Sequence, residues 1–132
     1  MATLLLDTSV IIDAINDKRD RPRFLRTLVE QGNILACCPI NITEIYAGMR
    51  PKEEAQTTPF LQSLRVYPIT FSVARLAGEV KRDFSKRGTT LSVTDSLIAA
   101  VAIEYQLSLL TDNTKDFPMK NIKLYPLPRP KL

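Results

Sequence analysis

Residues 92–111 have the sequence SVTDSLIAAVAIEYQLSLLT, in which a helical pattern is followed directly by a strand pattern. The segment DSLIAAVAIEYQ is apolar nearly all round, which is typical of a deeply buried helix. Ser92 or Thr94 can cap its first turn. The short apolar run SLLT (108–111) then predicts a strand. Layered α/β folds are built from such alternating helices and strands.

The rest of the chain shows the same alternation. The other strand candidates are ATLLL (2–6), NILACC (33–38), VYPI (66–69) and the edge segment NIKLYPL (121–127). The other helix candidates are VIIDAIND (10–17), PRFLRTLVEQ (22–31), TEIYAGM (43–49), KEEAQTTPFLQSL (52–64) and FSVARLAGEVKRDFSKRG (71–88). This order predicts a three-layer α/β/α fold with a mainly parallel central sheet of about four to five strands. We assign residues 1–132 to a single domain, with 126–132 as a proline-containing basic tail.

Small polar residues and proline predict several element boundaries. Thr8 or Ser9 can cap the first helix, and Asn41 or Thr43 can cap the third. Pro59 is expected to bend or break its helix, because proline lacks the N–H that the helical ladder needs. No repeat, low-complexity tract or linker interrupts the chain, which supports a single domain.

The composition restricts the chemistry that the chain can perform. Apolar residues make up 45% of the 132 positions and charged residues 24%, which is ordinary for a soluble globular protein. The absence of histidine excludes Ser-His-Asp and Cys-His nucleophiles and imidazole zinc sites. Cys37 and Cys38 are adjacent, so a disulfide between them is strained, and we expect a reducing, cytoplasmic setting. No apolar run reaches the roughly 18 residues of a membrane span, and the start does not resemble a secretory signal.

The charge is mildly basic and unevenly distributed. The formal net charge is +4 and the pI is about 9.2. Residues 17–26 (DKRDRPRFLR) contain five cations against two anions, and the tail PLPRPKL adds two more cations. A basic rim around an acidic pocket suits a metal-dependent enzyme that acts on a polyanion such as nucleic acid. A role in solubility explains the same charges equally well, so both interpretations stay open at this point.

Four acidic residues stand at the edges of apolar segments: Asp7, Glu44, Asp95 and Asp116. A carboxylate so close to a core segment is costly unless something neutralises it, and a shared divalent cation does so. Mg²⁺ and Mn²⁺ prefer such oxygen ligands. Asp7 and Asp116 follow predicted strands, and parallel sheets bind ligands at the carboxyl ends of strands. Glu44 and Asp95 lie near predicted helix starts, where the helix dipole favours negative charge. The four can therefore converge on one face.

Four motifs, taken in order, resemble those of the PIN domain family. They are LLLDTSVIID (4–13), NITEIYAG (41–48), SVTDSLIAA (92–100) and LLTDNTKDF (109–117). Their spacing is most similar to that of VapC-type toxin ribonucleases of type II toxin–antitoxin pairs, and the resemblance extends over roughly residues 3–125. One departure is Gln106, near which relatives often have glycine. A left-handed conformation of Gln106 would cost roughly 1 kcal/mol.

The resemblance implies a Mg²⁺- or Mn²⁺-dependent endoribonuclease in which metal-activated water attacks the RNA phosphodiester in line. The implied catalytic residues and metal ligands are Asp7, Glu44, Asp95 and Asp116. It also implies a homodimer and a small cognate antitoxin, similar to VapB, whose tail enters the active-site groove. Transfer RNA, ribosomal RNA and messenger RNA all remain open as the substrate.

Further polar and basic residues are expected around this site. By the same resemblance, Thr8, Ser9 and Asn113 would orient the ligands or the substrate. Lys86 and Arg87 lie just before the Asp95 motif, and from this position we expect them to hold RNA phosphates. A solvated helix face is the simpler interpretation of the same two cations.

Each assignment has an alternative. Asp7 can be only a helix cap, and Glu44 and Asp95 can serve only the first turns of helices. The motif LLTDNTKDF also offers Asp112, although the family pattern T-x-N-x-x-D-F favours Asp116 and leaves Asp112 as a further candidate ligand. For the whole protein, the alternative is a catalytically weak PIN-like binding module that acts with a DNA-binding partner. A receiver-like or phosphatase domain is disfavoured, because Thr-Ser rather than a second acid follows Asp7.

Overall fold

The computed structural model describes residues 1–128, which form a layered α/β structure. The strands are β1 (Thr3–Leu6), β2 (Ile34–Cys37), β3 (Arg65–Val66), β4 (Ser108–Leu110) and β5 (Lys123–Leu124). The α-helices are α1 (Thr8–Ile15), α2 (Arg21–Glu30), α3 (Pro39–Gly48), α4 (Glu54–Gln62), α5 (Phe71–Lys86) and α6 (Val93–Glu104). Short 3₁₀ turns lie at Pro51–Glu53 and Thr114–Asp116. Of the predicted tail, residues 129–132 lie outside the described residues.

The five strands run parallel in the order β3-β2-β1-β4-β5. β1 is central, and its Leu5 pairs with Ala36 of β2 on one side and with Leu109 of β4 on the other. The chain adds β2 and β3 on one side of β1 and later adds β4 and β5 on the opposite side, so the winding direction reverses between β1 and β4. Such a reversal leaves a crevice at the carboxyl ends of the two strands, where α/β proteins bind ligands.

Different helices cover the two faces of the sheet, because successive strand side chains point in opposite directions. Leu5 packs with Val73 of α5 and Ile98 of α6. Leu4 and Leu6 pack on the other face with side chains from α1 to α4. The predicted three-layer α/β fold with a parallel sheet is confirmed, and the middle of α6, from Ile98 to Ala102, is buried as its sequence indicates. No helix among residues 1–128 combines the length and the apolar character that a membrane crossing requires.

The caps of α1 and α6 show one wrong prediction and one confirmed prediction. The cap of α1 is Asp7, whose side chain accepts a hydrogen bond from the Thr8 N–H, so the prediction of Thr8 or Ser9 as the cap is wrong. A carboxylate next to the helix start satisfies a free N–H as well as a hydroxyl does. Ser92 caps α6 as predicted, because its hydroxyl accepts the Asp95 N–H at 3.0 Å.

α3 begins earlier than its sequence pattern indicates. Its first residue is Pro39 and its N-cap is Cys38, so the prediction of a cap at Asn41 or Thr43 is wrong. Asn41 lies inside the first turn, where its side-chain oxygen accepts the Cys38 N–H at 2.9 Å. This reciprocal arrangement satisfies the helix start without a hydroxyl cap, and proline is well suited to the first helical position.

Proline affects two elements in different ways. α4 continues through Pro59 to Gln62, so the prediction of a break is wrong, whereas a bend at Pro59 stays a prediction. Proline removes a single ladder hydrogen bond there, and burial of Leu61 in the core offsets that loss. β3 ends at Val66, earlier than predicted, because Pro68 has no N–H with which to extend the ladder.

Gln106 adopts the left-handed conformation considered for it, with φ at 55°. The turn lies directly after α6, where the Leu107 N–H donates to the Ala102 carbonyl at 2.8 Å. This bond closes the end of the helix in the manner of a glycine-type cap and leads the chain at once into β4. Glutamine in place of glycine at position 106 therefore adds local backbone strain but leaves the path of the chain unchanged.

Both cysteines are expected to be unreactive in the folded protein. Cys37 and Cys38 are free and fully buried, on opposite faces of the sheet. Burial raises the pKa of each thiol to about 11, so little thiolate exists at neutral pH. We expect dithionitrobenzoate at neutral pH to label neither thiol in the native protein and both after unfolding in guanidinium chloride. Fast labelling of the native protein would contradict their burial.

Candidate functional site

The carboxyl end of β1 places Asp7 in the crevice beside β4. Its N–H donates to the last carbonyl of β4 at 2.9 Å. The residue is 6% exposed, and its carboxylate accepts hydrogen bonds from the Thr8 N–H at 2.9 Å and the Thr111 hydroxyl at 2.7 Å. Burial raises the pKa of Asp7, the two hydrogen bonds lower it, and the charges of Glu44 and Asp116 raise it. Asp7 is therefore both the cap of α1 and a buried acid with other acids nearby.

Three further acids interact with Asp7 from separate elements. Glu44 lies in α3, Asp95 in the first turn of α6, and Asp116 at the end of the 3₁₀ turn that follows β4. Burial raises the pKa of Asp95, a hydrogen bond with Ser92 lowers it, and the negative charges of the other three acids raise it. The structure thus brings the four acids singled out from the sequence into one electrostatic group.

A short chain of hydrogen bonds holds Glu44. The Thr8 hydroxyl donates to Glu44 Oε1 at 2.6 Å, and Asn41 Nδ2 donates to Thr8 Oγ1 at 3.0 Å. Asn41 is fully buried. Sequence reasoning treated Asn41 only as a helix cap and missed this role. The available signal was its position three residues before Glu44, which places both side chains on the same face of α3.

The other predicted polar residues occupy different positions around the acids. The Ser9 hydroxyl is buried and makes no hydrogen bond within residues 1–128. Asn113 is exposed, and its backbone N–H donates to Thr111 Oγ1 at 3.0 Å. Thr111 belongs to the T-x-N-x-x-D-F pattern, yet no role was assigned to it from the sequence. In the structure it is the direct side-chain partner of Asp7.

Asp112 has a different environment from the four acids. Its carboxylate pairs with the buried guanidinium of Arg21 and lies 3.5 Å from Arg19 Nη1. Asp116, in contrast, contributes its charge to the raised pKa values of Asp7 and Asp95. Ion pairs with arginine therefore set Asp112 apart from the acidic group, whereas the charge of Asp116 acts on that group. Arg21 is only 2% exposed, so this one of the five cations in residues 17–26 is not available to an exposed basic rim.

The two cations expected to hold phosphates lie at the end of α5. Lys86 is the last residue of the helix and Arg87 follows it, and both are exposed. The Arg87 guanidinium stacks over the Phe84 ring, with its central carbon 4.1 Å from the ring centroid. The connection that begins at Arg87 leads into α6, whose first turn contains Asp95.

This group of acids is chemically suited to a hard divalent cation. The four carboxylates supply only oxygen donors, and a cation would relieve the repulsion that raises their pKa values. In the part of the chain that the structure describes, no three acidic or cysteine side chains already form a metal site.

The raised pKa of Asp7 predicts a pH-dependent free energy of unfolding. Because the folded state binds this proton more tightly than the unfolded chain, stability falls as the pH rises from about 3.8 through the folded pKa. Asp7→Asn removes this contribution. We expect the unfolding free energy of the variant, relative to wild type, to increase as the pH rises from about 3.8 through the folded pKa of Asp7. Urea denaturation in EDTA measures this difference, with the exposed Asp83→Asn as the control. Identical pH dependence of wild type and Asp7→Asn would contradict the prediction.

Comparison with known proteins identifies the family in which these motifs occur. The family model of the PIN domain matches residues 4–122. Ribonuclease VapC19 of Mycobacterium tuberculosis is 30% identical over 115 residues, which cover 87% of this chain and 92% of that protein. Ribonuclease VapC10 of the same organism is 32% identical over 116 residues, which cover 88% of this chain and 86% of that protein.

Solved structures share the fold. VapBC2 from Rickettsia felis, bound to a DNA fragment from its promoter, has a TM-score of 0.82 at 24% identity, over 93% of this chain and 97% of that chain. DNA-bound VapBC from Salmonella typhimurium has a TM-score of 0.80 at 23% identity, over 95% of this chain and 98% of that chain. Together with the family match over most of its length, these similarities show that the chain belongs to the PIN domain family.

Proposed function

We propose that this protein is an endoribonuclease and the toxin of a toxin–antitoxin pair. The observation that carries the proposal is the group of four acids at the crevice between β1 and β4, in which Asp7 and Asp95 are influenced by the charges of the others, in a chain without histidine. The catalytic residues proposed are Asp7, Glu44, Asp95 and Asp116. Support also comes from the sequence relatives, which are named ribonucleases, and from the structural relatives, which are VapBC proteins.

We propose Mg²⁺ or Mn²⁺ as the cofactor, held by the four acids through their carboxylate oxygens. When bound, such a cation supplies an activated water and offsets charge on the phosphate. The protein itself contributes by orienting the carboxylates of Asp7 and Glu44. Thr111 and the Thr8 N–H hold the two oxygens of Asp7, and the Thr8 hydroxyl holds one oxygen of Glu44. These bonds limit rotation of both carboxylates, which helps a site to keep one ligand geometry.

We also propose that Lys86 and Arg87 hold RNA phosphates near the cut. Both are exposed and precede the helix that contains Asp95. We expect the double substitution Lys86→Ala and Arg87→Ala to weaken RNA binding and to reduce its dependence on salt concentration, because two phosphate contacts are lost. Binding measured at several salt concentrations checks this, with Arg65→Ala and Lys123→Ala as the control, because these exposed side chains lie at the amino ends of β3 and β5, away from the acids. An unchanged salt dependence would contradict the role.

The proposed partner is a small antitoxin similar to VapB, as in the VapBC structures of related fold. An arginine or lysine from such a partner would pair with the acidic group and compete with a cation for it. We propose that the toxin itself is a homodimer and acts in the cytoplasm. Its two free, buried cysteines are compatible with a reducing compartment.

Cleavage of total RNA by the purified protein tests the proposed function. The reactions contain Mg²⁺, Mn²⁺ or EDTA, and a preparation of Asp7→Asn purified in the same way detects contaminating nucleases. We expect discrete fragments that require metal and that are absent with the variant. The ends of the fragments then identify the RNA that is cut.

Absence of cleavage by a folded, partner-free protein with either metal would contradict the proposed function. That result would favour the alternative, a PIN-like binding module that acts together with a DNA-binding partner. Cleavage that persists in EDTA and with Asp7→Asn would instead show that the activity does not use the acidic group.

A further inference from the structure

A buried arginine connects two helices to the loop that follows β4. Arg21, at the start of α2, is 2% exposed. Its Nη2 donates to Asp112 Oδ1, and its Nε lies 3.9 Å from Asp13 Oδ2 in α1. Arg19 lies 3.5 Å from the Asp112 carboxylate and 3.7 Å from that of Asp13. We call these four residues the Arg21 clamp.

Two features of the clamp are unfavourable for stability: its guanidinium is buried, and the connection before Arg21 has a strained backbone. A buried guanidinium loses its hydration, and a buried ion pair is often no more stabilising than apolar residues of the same volume. In the connection before Arg21, the residues Asp17, Arg19 and Asp20 have φ values of 52°, 54° and 58°. Aspartate tolerates this left-handed conformation better than most residues, so the strain falls chiefly on Arg19, and such strain concentrates at functional sites. A role beyond stability therefore fits the clamp better than a purely structural one.

The loop held by the clamp leads directly to two groups of the acidic site. Thr111, immediately before Asp112, donates to Asp7 Oδ2 at 2.7 Å and accepts the Asn113 N–H at 3.0 Å. The Asp116 N–H in turn donates to the Asn113 carbonyl at 2.9 Å. A shift of Asp112 would therefore move the partner of one acid and the backbone of another.

We propose that Arg21 and Asp112 are positioning residues of the cation site. The clamp fixes residues 111–117, so that Asp116 and the Thr111 partner of Asp7 keep the places from which a cation can be bound. This inference rests on the proposed function and adds residues outside the acidic group to it. Asp112 acts through its two arginine partners and is not itself a ligand.

Two substitutions and their combination test the clamp. Asp112→Asn keeps an oxygen for Arg21 Nη2 but removes the charge, and Arg21→Met removes the guanidinium. Because Arg21→Met leaves a partly buried carboxylate without its main partner, it can unfold the protein. Arg21→Lys, which keeps the positive charge but loses the planar fork of donors, then takes its place beside Asp112→Asn in both readouts. Asp83→Asn, at a side chain on α5 that is 61% exposed, is the matched control for the chemical change. Leu28→Ala, in the core of α2, is the control for loss of stability.

The first readout is Mn²⁺ binding to the folded full-length chain without RNA, followed by electron paramagnetic resonance of free Mn²⁺. Each clamp variant should bind Mn²⁺ about tenfold more weakly than wild type, as for other residues that support metal ligands. The double variant should also bind Mn²⁺ about tenfold, and not about a hundredfold, more weakly than wild type. Both substitutions break the same ion pair between Arg21 and Asp112, so their effects do not add. Both controls should bind as wild type does.

The second readout is amide hydrogen exchange in the absence of metal. Residues 111–117 should exchange faster in the clamp variants than in Leu28→Ala, under conditions in which all are folded. If the clamp has a purely structural role, the clamp variants should match Leu28→Ala in both Mn²⁺ binding and amide exchange. That outcome overturns the proposal. Weaker Mn²⁺ binding by Asp112→Asn but not by a folded Arg21→Met would make Asp112 a ligand and would also overturn it.

The failure of this inference can be separated from failure of the proposed function. Normal Mn²⁺ binding by wild type, unchanged in the clamp variants, would reject only the positioning role. Absence of Mn²⁺ binding by wild type would reject the proposed metal-dependent function, and the positioning role with it.

Discussion

Replacement of Asp95 by asparagine is expected to lower metal-dependent RNA cleavage by about a hundredfold or more. Asp95 lies in the first turn of α6, and the negative charge of each of the other three acids raises its pKa. These contributions indicate that it shares the crevice with all of them. Asparagine keeps the size of the side chain and one oxygen, but it lacks the charge that attracts a cation.

The Asp95→Asn variant should remain folded, so that its loss of activity can be interpreted. The Ser92 hydroxyl accepts the backbone N–H of residue 95, and this bond is retained. Asparagine also keeps a side-chain oxygen for the hydrogen bond between Ser92 and the side chain of residue 95. Loss of a favourable charge at the helix start and relief of repulsion between carboxylates are small effects of opposite sign. We therefore expect a thermal unfolding midpoint close to that of wild type.

Cleavage rates and thermal unfolding midpoints of wild type, Asp95→Asn and Asp83→Asn check this prediction. Asp83→Asn is the matched control, since it makes the same chemical change at a side chain that is 61% exposed on α5. It should cleave RNA at the wild-type rate. Wild-type cleavage by a folded Asp95→Asn would remove this residue from the proposed mechanism.

Asn41→Ala is expected to reduce both stability and activity. Asn41 is fully buried, accepts the Cys38 N–H at 2.9 Å and donates to Thr8 Oγ1 at 3.0 Å. Alanine leaves a buried helix-start N–H unsatisfied, which should lower the free energy of unfolding by about 2 kcal/mol. It also frees the Thr8 hydroxyl that holds Glu44, and we expect cleavage to fall by about tenfold.

Asn33→Ala separates these two effects. The Asn33 side chain also bridges two backbone groups, accepting the Ala2 N–H at 2.9 Å and donating to the Leu28 carbonyl at 3.0 Å. It lies at the opposite end of the sheet from the acids, just before β2. Urea unfolding and initial cleavage rates should show a loss of stability in both variants, but slower cleavage only in Asn41→Ala. Equal activity of the two variants would show that the contact between Thr8 and Glu44 does not affect the chemistry.

The predictions that succeeded depended on local patterns. Short apolar runs such as ATLLL and SLLT predict buried parallel strands, and the all-round apolar α6 predicts a central buried helix, because burial selects residue type directly. Boundaries were less predictable where competing caps lie side by side. Asp7 replaced Thr8 and Ser9 as the cap of α1, and α3 began at Pro39, because any nearby acceptor can satisfy the first N–H groups of a helix.

The sequence by itself determined the layered α/β architecture and the four acids that the structure groups together, since strand ends and helix starts in such a fold meet at one edge of the sheet. Only the tertiary structure decided the partners of these acids. Thr111 meets Asp7 across the crevice, Asn41 supports Glu44 through another side chain, and Arg21 turns inward to hold Asp112. These pairs join residues far apart in the chain, and their geometry depends on packing between elements, which no local pattern of residues encodes.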